Sequence, residues 1–378
     1  MSLKTIFKYF LAWRTLIFLV AIAAMFIVRP STVFTDLTPQ ASTGDLLKMW
    51  SNFDGLHYQD IAQYNYGTLT KTDKVYAFFP VYPWLIKQIN PFIGDFTVSG
   101  LLVSSLSFVL ALYYLYKLLL IDYSEKVVKN TIILLLLFPT AFFFGSVYNE
   151  STFLLLTVLS LFFARKGNFP LACIFATILS ATRVTGIFIW IALIIEFFEM
   201  SDKEKKNTPK TSPLWLVIPP FGLLWYMYYQ FRMTGDAFFF INYQHYIPGR
   251  ATDKLVLLYQ VFFRYIKMIL TVDPGNPIYF TVILEFFAGV LFLLLLIFSI
   301  KKIRSSYWVF CALSYILPTL TGTLSSVPRY VVVLFPMFVF LETWLEKRQL
   351  SIRFIYYAIC IILSVFSIAL FTRGYFIG

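Results

Sequence analysis

The stretch FDGLHYQDIAQYNYG, residues 53–67, differs from the apolar sequence that surrounds it. It places aspartates, amides and one of the chain's two histidines among tyrosines. A helical period counted from Asp54 divides these side chains between two sides. The pattern predicts a helix that lies along a membrane surface. One side carries Asp54, His57, Tyr58, Ile61 and Ala62, and the other carries Leu56, Gln59, Asp60 and Gln63.

The overall composition is that of a membrane protein. Of the 378 residues, 59% are hydrophobic and only 13% are charged, with a mean hydropathy of +0.76. A soluble domain has roughly 25% charged residues. The net charge of +12 comes mostly from Lys and Arg that flank apolar runs, which indicates membrane topology rather than nucleic-acid binding. We therefore expect an all-α polytopic membrane protein, with residues 1–378 forming one transmembrane domain.

The rare cysteines and histidines bear on redox and metal chemistry. Cys173, Cys311 and Cys360 lie in apolar runs without C-x-x-C spacing, so neither a disulfide framework nor a zinc site is expected. His57 and His245 are the only histidines, and both fall in predicted outside loops. A divalent metal held by this pair is an open alternative that no H-x-x-H motif or carboxylate cluster supports. No cofactor is expected.

Eleven apolar runs are candidates for membrane spans. The first follows Lys4 and Lys8. Its length of about 20 residues and the Arg29-Pro30 after it favour an uncleaved helix over a cleavable signal peptide. Several other runs are shorter than a straight span requires, and such helices can meet at polar breaks where they line a cavity. The runs are residues 9–28, 98–121, 131–147, 150–164, 169–183, 186–199, 213–231, 277–300, 307–324, 330–345 and 353–371.

The distribution of Lys and Arg predicts the orientation of these spans. With the N-terminus inside, every inside connection is basic, including SDKEKKNTPK, KKIR and EKRQLSIR. Two long loops, residues 29–97 and 232–276, then lie outside. We expect interfacial helices in the first of them, because it is rich in Trp, Tyr and Phe. In its second segment, FFPVYPWLIKQIN, we expect Pro80 and Pro83 to break regular structure.

Four ionisable residues at the outside ends of the spans are functional candidates, because charges at membrane depth are costly. Asp54 has a structural alternative as a helix N-cap. Glu150 has one as a first-turn partner of the helix dipole, and Arg183 as a cation that reaches the interface. Arg329 opens a helix, where the dipole disfavours a cation, so we expect it to have a partner anion. Two acids and two arginines from separate segments could thus meet in one extracytoplasmic pocket.

Four blocks of the sequence resemble the GPI mannosyltransferase II family, including its bacterial relatives. FDGLHYQDIAQYNYG followed by AFFPVYPWLI is similar to the family's first-loop pattern W-D-G/x-x-Y-x-x-I-A-x-x-G-Y and F-F-P-x-Y-P. Residues 138–187 resemble the next block, with its S/N-E and T-R-x-x-G elements. TGDAFFFINYQHY and SSVPRYVVVLFPMF resemble the second-loop and C-terminal blocks, in matching order. The chain departs from the pattern at Phe53, where Trp or a polar residue is usual, and at Asn65-Tyr66-Gly67, where Gly-Tyr is usual.

The resemblance implies a GT-C glycosyltransferase fold and an acidic catalytic residue in the first outside loop, which here is Asp54. It implies a polyprenyl-phosphate sugar as substrate, with mannose favoured. It also implies a multi-pass protein of a bacterial cell membrane, or of the ER membrane in a eukaryote, with an extracytoplasmic active site. The partners would be membrane lipid, the donor, and a glycan, glycolipid or protein acceptor. The expected substrate-binding residues are His57, Tyr58, Asn149, Glu150, Arg183, His245, Arg250, Arg329 and Tyr330.

The expected chemistry follows from where the site would lie. No cytosolic domain or Gly-rich phosphate loop is found to hold a nucleotide sugar, whereas a lipid-linked sugar can reach an outside site from the membrane. An ionised Asp54 can accept the proton of the attacking hydroxyl, and an arginine can stabilise the leaving phosphate. Direct displacement with one base predicts inversion at the anomeric carbon. A transporter or flippase of lipid-linked sugar is the alternative, and a structural membrane protein comes third.

Overall fold

The structure is a computed structural model that describes residues 1–38, 45–66, 73–199, 212–242, 250 and 256–378. His245, one of the expected substrate-binding residues, lies outside the described residues. Within the described ranges, all regular secondary structure is helical, as the composition predicts.

The first half of the chain forms eight α-helices. The two helices α2 and α3 belong to the predicted first outside loop. The others correspond to predicted spans. The eight are α1 (Leu3–Ile27), α2 (Asp54–Tyr64), α3 (Val81–Ile93), α4 (Phe96–Leu119), α5 (Glu125–Leu137), α6 (Glu150–Arg165), α7 (Phe169–Ser180) and α8 (Phe188–Glu199).

Eight further α-helices are described in the second half. The short α10 and the amphipathic α11 lie in the predicted second outside loop. The eight are α9 (Phe221–Thr234), α10 (Phe239–Asn242), α11 (Leu258–Thr271), α12 (Pro277–Ser299), α13 (Ser305–Thr319), α14 (Val327–Val331), α15 (Phe335–Leu345) and α16 (Leu350–Thr372).

Four described helices, α1, α4, α12 and α16, are long and apolar enough to cross a membrane. At about 1.5 Å per residue their 23 to 25 residues span roughly 35 Å. Both α7 and α15 are apolar but shorter. The buried core lies where α4 packs on α6, α6 on α7, and α8 on α13.

Three predicted spans are interrupted, and proline accompanies each break. The run 131–147 is helical only as far as Leu137. A turn at Pro139 and a 3₁₀ segment, Ala141–Gly145, complete it. The run 213–231 divides before Phe221, after Pro219 and Pro220, and the run 330–345 divides between α14 and α15. Proline lacks the N–H that an uninterrupted helix needs, so these runs form paired short helices rather than single spans.

The expectation that Pro80 and Pro83 break regular structure is wrong. Pro80 is the residue before α3, and Pro83 lies in its first turn. The N–H groups of a first turn have no partner inside the helix, so proline is tolerated there. The two prolines therefore begin α3.

Ion pairs gather at one end of the helices, away from Asp54. Arg165, the last residue of α6, pairs with Asp122. The carboxylate of the buried Glu196 accepts hydrogen bonds from Nε and Nη2 of Arg304 at 2.9 and 2.8 Å. All four residues belong to or border the connections that the sequence predicts to lie inside. Glu150 begins the same α6, about 22 Å from Arg165 by helical rise. The two ends of α6 thus carry two separate charged networks.

Candidate functional site

The local backbone sets the position of Asp54 at the start of α2. Gly55 follows it, and a Cβ on Gly55 would lie only 3.2 Å from the carbonyl oxygen of Val147. The absence of a side chain lets the first turn of α2 approach the segment that leads into α6. The hydroxyl of Tyr148 donates to the carbonyl oxygen of Asn52 at 2.8 Å and closes this contact. Asp54 is therefore held beside the N-terminus of α6.

The N-cap alternative for Asp54 is wrong. The cap position is Phe53, and Asp54 is the first residue of the helix. Its carboxylate accepts a hydrogen bond from Arg329 at 2.5 Å, a contact 275 residues away in sequence. The side chain is 26% exposed, whereas that of Arg329 is 9% exposed. Asp54 thus makes a tertiary ion pair and keeps an open side.

Arg329 joins two carboxylates. Besides Asp54, its Nε lies 3.4 Å from Oε1 of the fully buried Glu150. The anion partner that the sequence predicts for this arginine is therefore present twice. Tyr148 and Tyr330 complete its surroundings, with ring centroids 5.2 and 5.3 Å from the guanidinium carbon. Such distances allow cation–π attraction.

Arg183 approaches Glu150 from the other side. It lies at the break between α7 and α8, as predicted, and its Nη2 pairs with Oε1 of Glu150. Its Nε donates to the amide oxygen of Asn149 at 2.7 Å, and Asn149 in turn donates to the carbonyl oxygen of Thr182 at 3.0 Å. Glu150 thus forms ion pairs with two arginines, and the four charged residues singled out in the sequence form one network.

The charged network fixes the ionisation of Asp54. Burial raises the pKa of its carboxyl group, and the charge and hydrogen bond of Arg329 lower it more, with smaller contributions from His57 and Arg250. The net pKa of Asp54 lies below its ordinary value. The carboxylate is therefore ionised at neutral pH.

A cavity of about 250 Å³ opens over this network. Its volume is close to the lower end of the range for small-molecule sites, roughly 300–1,000 Å³. Asp54, Arg183, Arg250 and Arg329 bring charge to its wall. The wall also includes aromatic and amide side chains, among them Tyr58, Phe78, Phe79, Asn149, Phe240 and Tyr330.

The remaining predicted site residues take different places. The hydroxyl of Tyr330 accepts from Arg250 at 3.4 Å within the cavity. Glu150 does not line the cavity, but it forms ion pairs with Arg183 and Arg329, which do. The ring of His57 lies 4.9 Å from that of Phe78, tilted by 34°. Tyr58 is buried in the wall, with its ring 5.0 Å from that of Tyr82.

Sequence reasoning missed several aromatic residues of the site, including Phe240 in the cavity wall. Phe78 and Phe79 line the cavity, and Tyr148 packs against Arg329. Phe78 and Phe79 were visible as part of the FFP motif, where they were interpreted only as interfacial. Tyr148 lies directly before Asn149 and Glu150, in a short loop that gives no helical period by which to place it.

No protein-family model matches the chain, and no curated protein matches it. Within the part of the chain that the structure describes, no three His, Cys, Asp or Glu side chains lie together as metal ligands would. The fold and site define a helical protein with membrane-length helices and a charged cavity at one end.

Proposed function

We propose that this protein is an integral-membrane glycosyltransferase. It would transfer a hexose, with mannose favoured, from a polyprenyl-phosphate sugar to the hydroxyl of an extracytoplasmic glycan, glycolipid or protein. We further propose the GT-C architecture with about eleven membrane-crossing segments, in a bacterial cell membrane or the ER membrane of a eukaryote. The resemblance to the GPI mannosyltransferase II family supports the sugar class and the role of Asp54.

One observation carries the proposal: a carboxylate with an open side faces the same cavity as three arginines. Arg183, Arg250 and Arg329 bring three positive charges, and Asp54 and Glu150 bring two negative charges. An arginine guanidinium binds phosphate through charge-assisted and often bidentate hydrogen bonds. The cavity therefore offers cationic groups for the phosphate of such a donor and a candidate base beside them.

The reaction needs one displacement. The acceptor oxygen forms a bond to the anomeric carbon, on the face opposite the phosphate. The bond from that carbon to the phosphate oxygen breaks, and the electron pair stays on the phosphate. The proton of the acceptor passes to Asp54 directly, and the configuration at the anomeric carbon inverts. A positioned base of this kind contributes roughly 10²–10⁴-fold.

Arg329 would have two roles in this step. Without donor it holds Asp54 in place, and its pairing lowers the basicity of the carboxylate. The phosphate of the donor offers Arg329 a second anion, and the leaving group gains a further negative charge as the bond breaks. A planar guanidinium can bind two phosphate oxygens. Donor binding would thus draw Arg329 from Asp54 and leave the carboxylate available to the acceptor.

The aromatic residues of the wall suit the sugar. Phe78, Phe79, Phe240 and Tyr58 line the cavity. Aromatic faces present apolar contact area with defined geometry, and the C–H faces of a pyranose can stack on them. His57 lies behind Phe78, so we propose that it supports this wall and does not act as a metal ligand.

A reconstituted system tests the proposal. Purified protein in detergent is incubated with a short-chain polyprenyl-phosphate mannose and a panel of glycan, glycolipid and peptide acceptors, and product is detected by mass spectrometry. We expect a mannosylated product with inverted configuration. Matched donors with glucose or galactose report the sugar preference. If the protein transfers no sugar, but moves the donor between the leaflets of liposomes, it is a transporter instead.

A further inference from the structure

The segment that follows α16 passes beside both halves of the Asp54–Arg329 pair. We call residues 373–378 the tail segment. Its Arg373 and Ile377 are buried, at 6% and 2% exposure. Arg373 donates from Nε to the carbonyl oxygen of Val28 at 2.9 Å and accepts from the N–H of Ser31 at 2.8 Å. These bonds fix the segment against the end of α1.

A second anchor joins the tail segment to α12. The hydroxyl of Thr281, itself 5% exposed, donates to the carbonyl oxygen of Phe376 at 2.7 Å. The segment is therefore held at two places by hydrogen bonds to separate helices. Phe376 carries the second of these anchors on its own backbone.

The ring of Phe376 packs edge-on against Phe53, with 5.4 Å between the centroids. Phe53 has φ of 58°, a backbone conformation that is a genuine outlier for a bulky residue. Such conformations persist only where the surrounding structure holds them. Phe34 and Phe371 surround the same ring, at 5.7 and 6.2 Å. Because Phe53 directly precedes Asp54, this packing sets the direction in which α2 begins.

The tail segment also contacts Ser326, the residue directly before α14. Ser326 has φ of 66°, and its carbonyl oxygen accepts from the N–H groups of Arg329 and Tyr330 at 3.1 and 3.0 Å. A Cβ on Gly378 would lie 3.0 Å from the Ser326 hydroxyl oxygen, so the two residues are in close contact. Glu285 accepts from the N–H of Ser326 at 3.3 Å on another side. The turn that carries Arg329 is thus packed between α12 and the tail segment.

We propose that the tail segment is a positioning element of the site, and that Phe376 is its central residue. It holds the strained residues Phe53 and Ser326 in the conformations that bring Asp54 and Arg329 together. Its significance for catalysis rests on the proposed function, since the pair consists of the proposed base and the proposed phosphate ligand. The claim that the tail segment holds Asp54 and Arg329 together can be tested without any substrate.

The test is a double-mutant cycle measured by thermal unfolding in detergent. Asp54→Asn, Arg329→Gln and the double variant are compared in the wild-type background and in a Phe376→Ala background. The part of the Tm shift that is not additive reports the coupling between the two side chains. We expect this coupling to fall by about half or more in the Phe376→Ala background.

Phe292→Ala is the matched control. Phe292 is buried on α12 and packs against Phe138 and Phe338, away from Phe53. It should lower Tm at least as much as Phe376→Ala and leave the Asp54–Arg329 coupling unchanged. Phe376→Leu, which keeps most of the bulk, should restore part of the coupling. Unchanged coupling in the Phe376→Ala background would overturn the proposal.

A second variant covers the case in which Phe376→Ala does not fold. Thr281→Val removes the anchor of the tail segment and keeps the side-chain shape. Its control is Thr131→Val, because the buried hydroxyl of Thr131 donates only to its own helix, to Val127. Coupling reduced by Thr281→Val alone supports the proposal, and equal coupling in both variants contradicts it. Since the cycle uses no donor or acceptor, its result is independent of whether the protein transfers sugar.

Discussion

The position of Arg329 between Asp54 and Glu150 determines what substitutions in the site should do. Removing one partner of a buried ion pair leaves the other charge uncompensated, which is costly. Glu150 is fully buried and depends on Arg183 and Arg329, whereas Asp54 keeps an open side. Replacing Asp54 should therefore change the reaction with less loss of stability than replacing Glu150.

Asp54→Asn should remove the proton acceptor and preserve the shape of the side chain. Since Asp54 is not the N-cap of α2, no capping bond is lost, and Arg329 retains Glu150. We expect sugar transfer to fall by roughly 10²-fold or more, while the protein still purifies as a folded species. Asp60→Asn is the matched control, because it makes the same change on the same helix outside the cavity wall. Near wild-type turnover in Asp54→Asn would remove Asp54 from the chemical step.

Arg329→Ala should weaken use of the donor by about 2–5 kcal/mol if the guanidinium binds the phosphate in a buried site. Arg329→Lys should restore only part of this, because an ammonium group lacks the planar fork. Steady-state kinetics with varied donor concentration measure both effects. Arg348→Lys, at an exposed residue that packs on Trp344 far from the cavity, is the control. Unchanged donor kinetics in Arg329→Ala would transfer the phosphate role to Arg183 or Arg250.

The ion pair also predicts a pH dependence of stability. The pKa of Asp54 is lowered in the folded protein, because Arg329 outweighs the effect of burial. The pair therefore stabilises the fold above the unfolded pKa of about 3.9, and this contribution is lost as pH falls through the folded value. The Tm difference between wild type and Asp54→Asn should be constant from about pH 8 to 5 and shrink only below about pH 4.

The pKa of Asp60 is shifted in the opposite direction, so this residue serves as the comparison. Burial raises the pKa of Asp60, and His57 lowers it by less. Its contribution is present below the unfolded pKa and is lost as pH rises through the folded value. The two Asp→Asn variants should thus change in opposite directions with pH in the same thermal scans. A parallel change would show that the Asp54 pair does not control the titration.

At the scale of the elements, the approach of α2 to the start of α6 is what brings Asp54 to Glu150 and its arginines. Six of the eleven hydrophobic runs agree with a described helix to within about three residues at both ends, because apolar length alone identifies them. The breaks at Pro139 and at Pro219-Pro220 were missed, since an apolar run continues through them. The strained residues Phe53 and Ser326 could not be predicted either, because φ is set by tertiary packing that no local pattern contains.

Gly55→Ala tests the approach of α2. The added Cβ would lie 3.2 Å from both Ser51 Cβ and the Val147 carbonyl oxygen, so the contact between α2 and this segment must give by a few tenths of an ångström. Overpacking of this kind costs roughly 1–3 kcal/mol, and the displacement should also reduce transfer. Gly275→Ala, where a Cβ meets only ordinary contacts, is the control for the substitution itself. Equal Tm and equal transfer in the two variants would show that the close approach has no importance.

At the scale of the whole molecule, the two charged networks lie at opposite ends of α6. The sequence predicted the end at which Arg165 and Arg304 lie, because Lys and Arg mark the inside connections, and it assigned the isolated acids and arginines to the other end. It did not single out Asp122 or Glu196. It could not predict the partners. The pairing of Arg329 with Asp54 joins residues 275 positions apart, and that of Arg304 with Glu196 joins residues 108 apart. Such contacts follow from how the helices pack, and helical period does not encode them.

The orientation of the molecule can be tested on a single helix, α12. Gly275 precedes it and Lys302 follows it, so the two positions lie on opposite sides if α12 crosses the membrane. The basic connections predict that Gly275 faces outside, as does the cavity. In intact cells a membrane-impermeant thiol reagent should therefore label Gly275→Cys, and it should label Lys302→Cys only after permeabilisation. The native Cys173, Cys311 and Cys360 are buried and provide a low background.

Labelling of both variants from the same side would show that α12 does not cross. Reversed labelling would place the cavity in the cytosol, where a flipped lipid-linked sugar could not reach it.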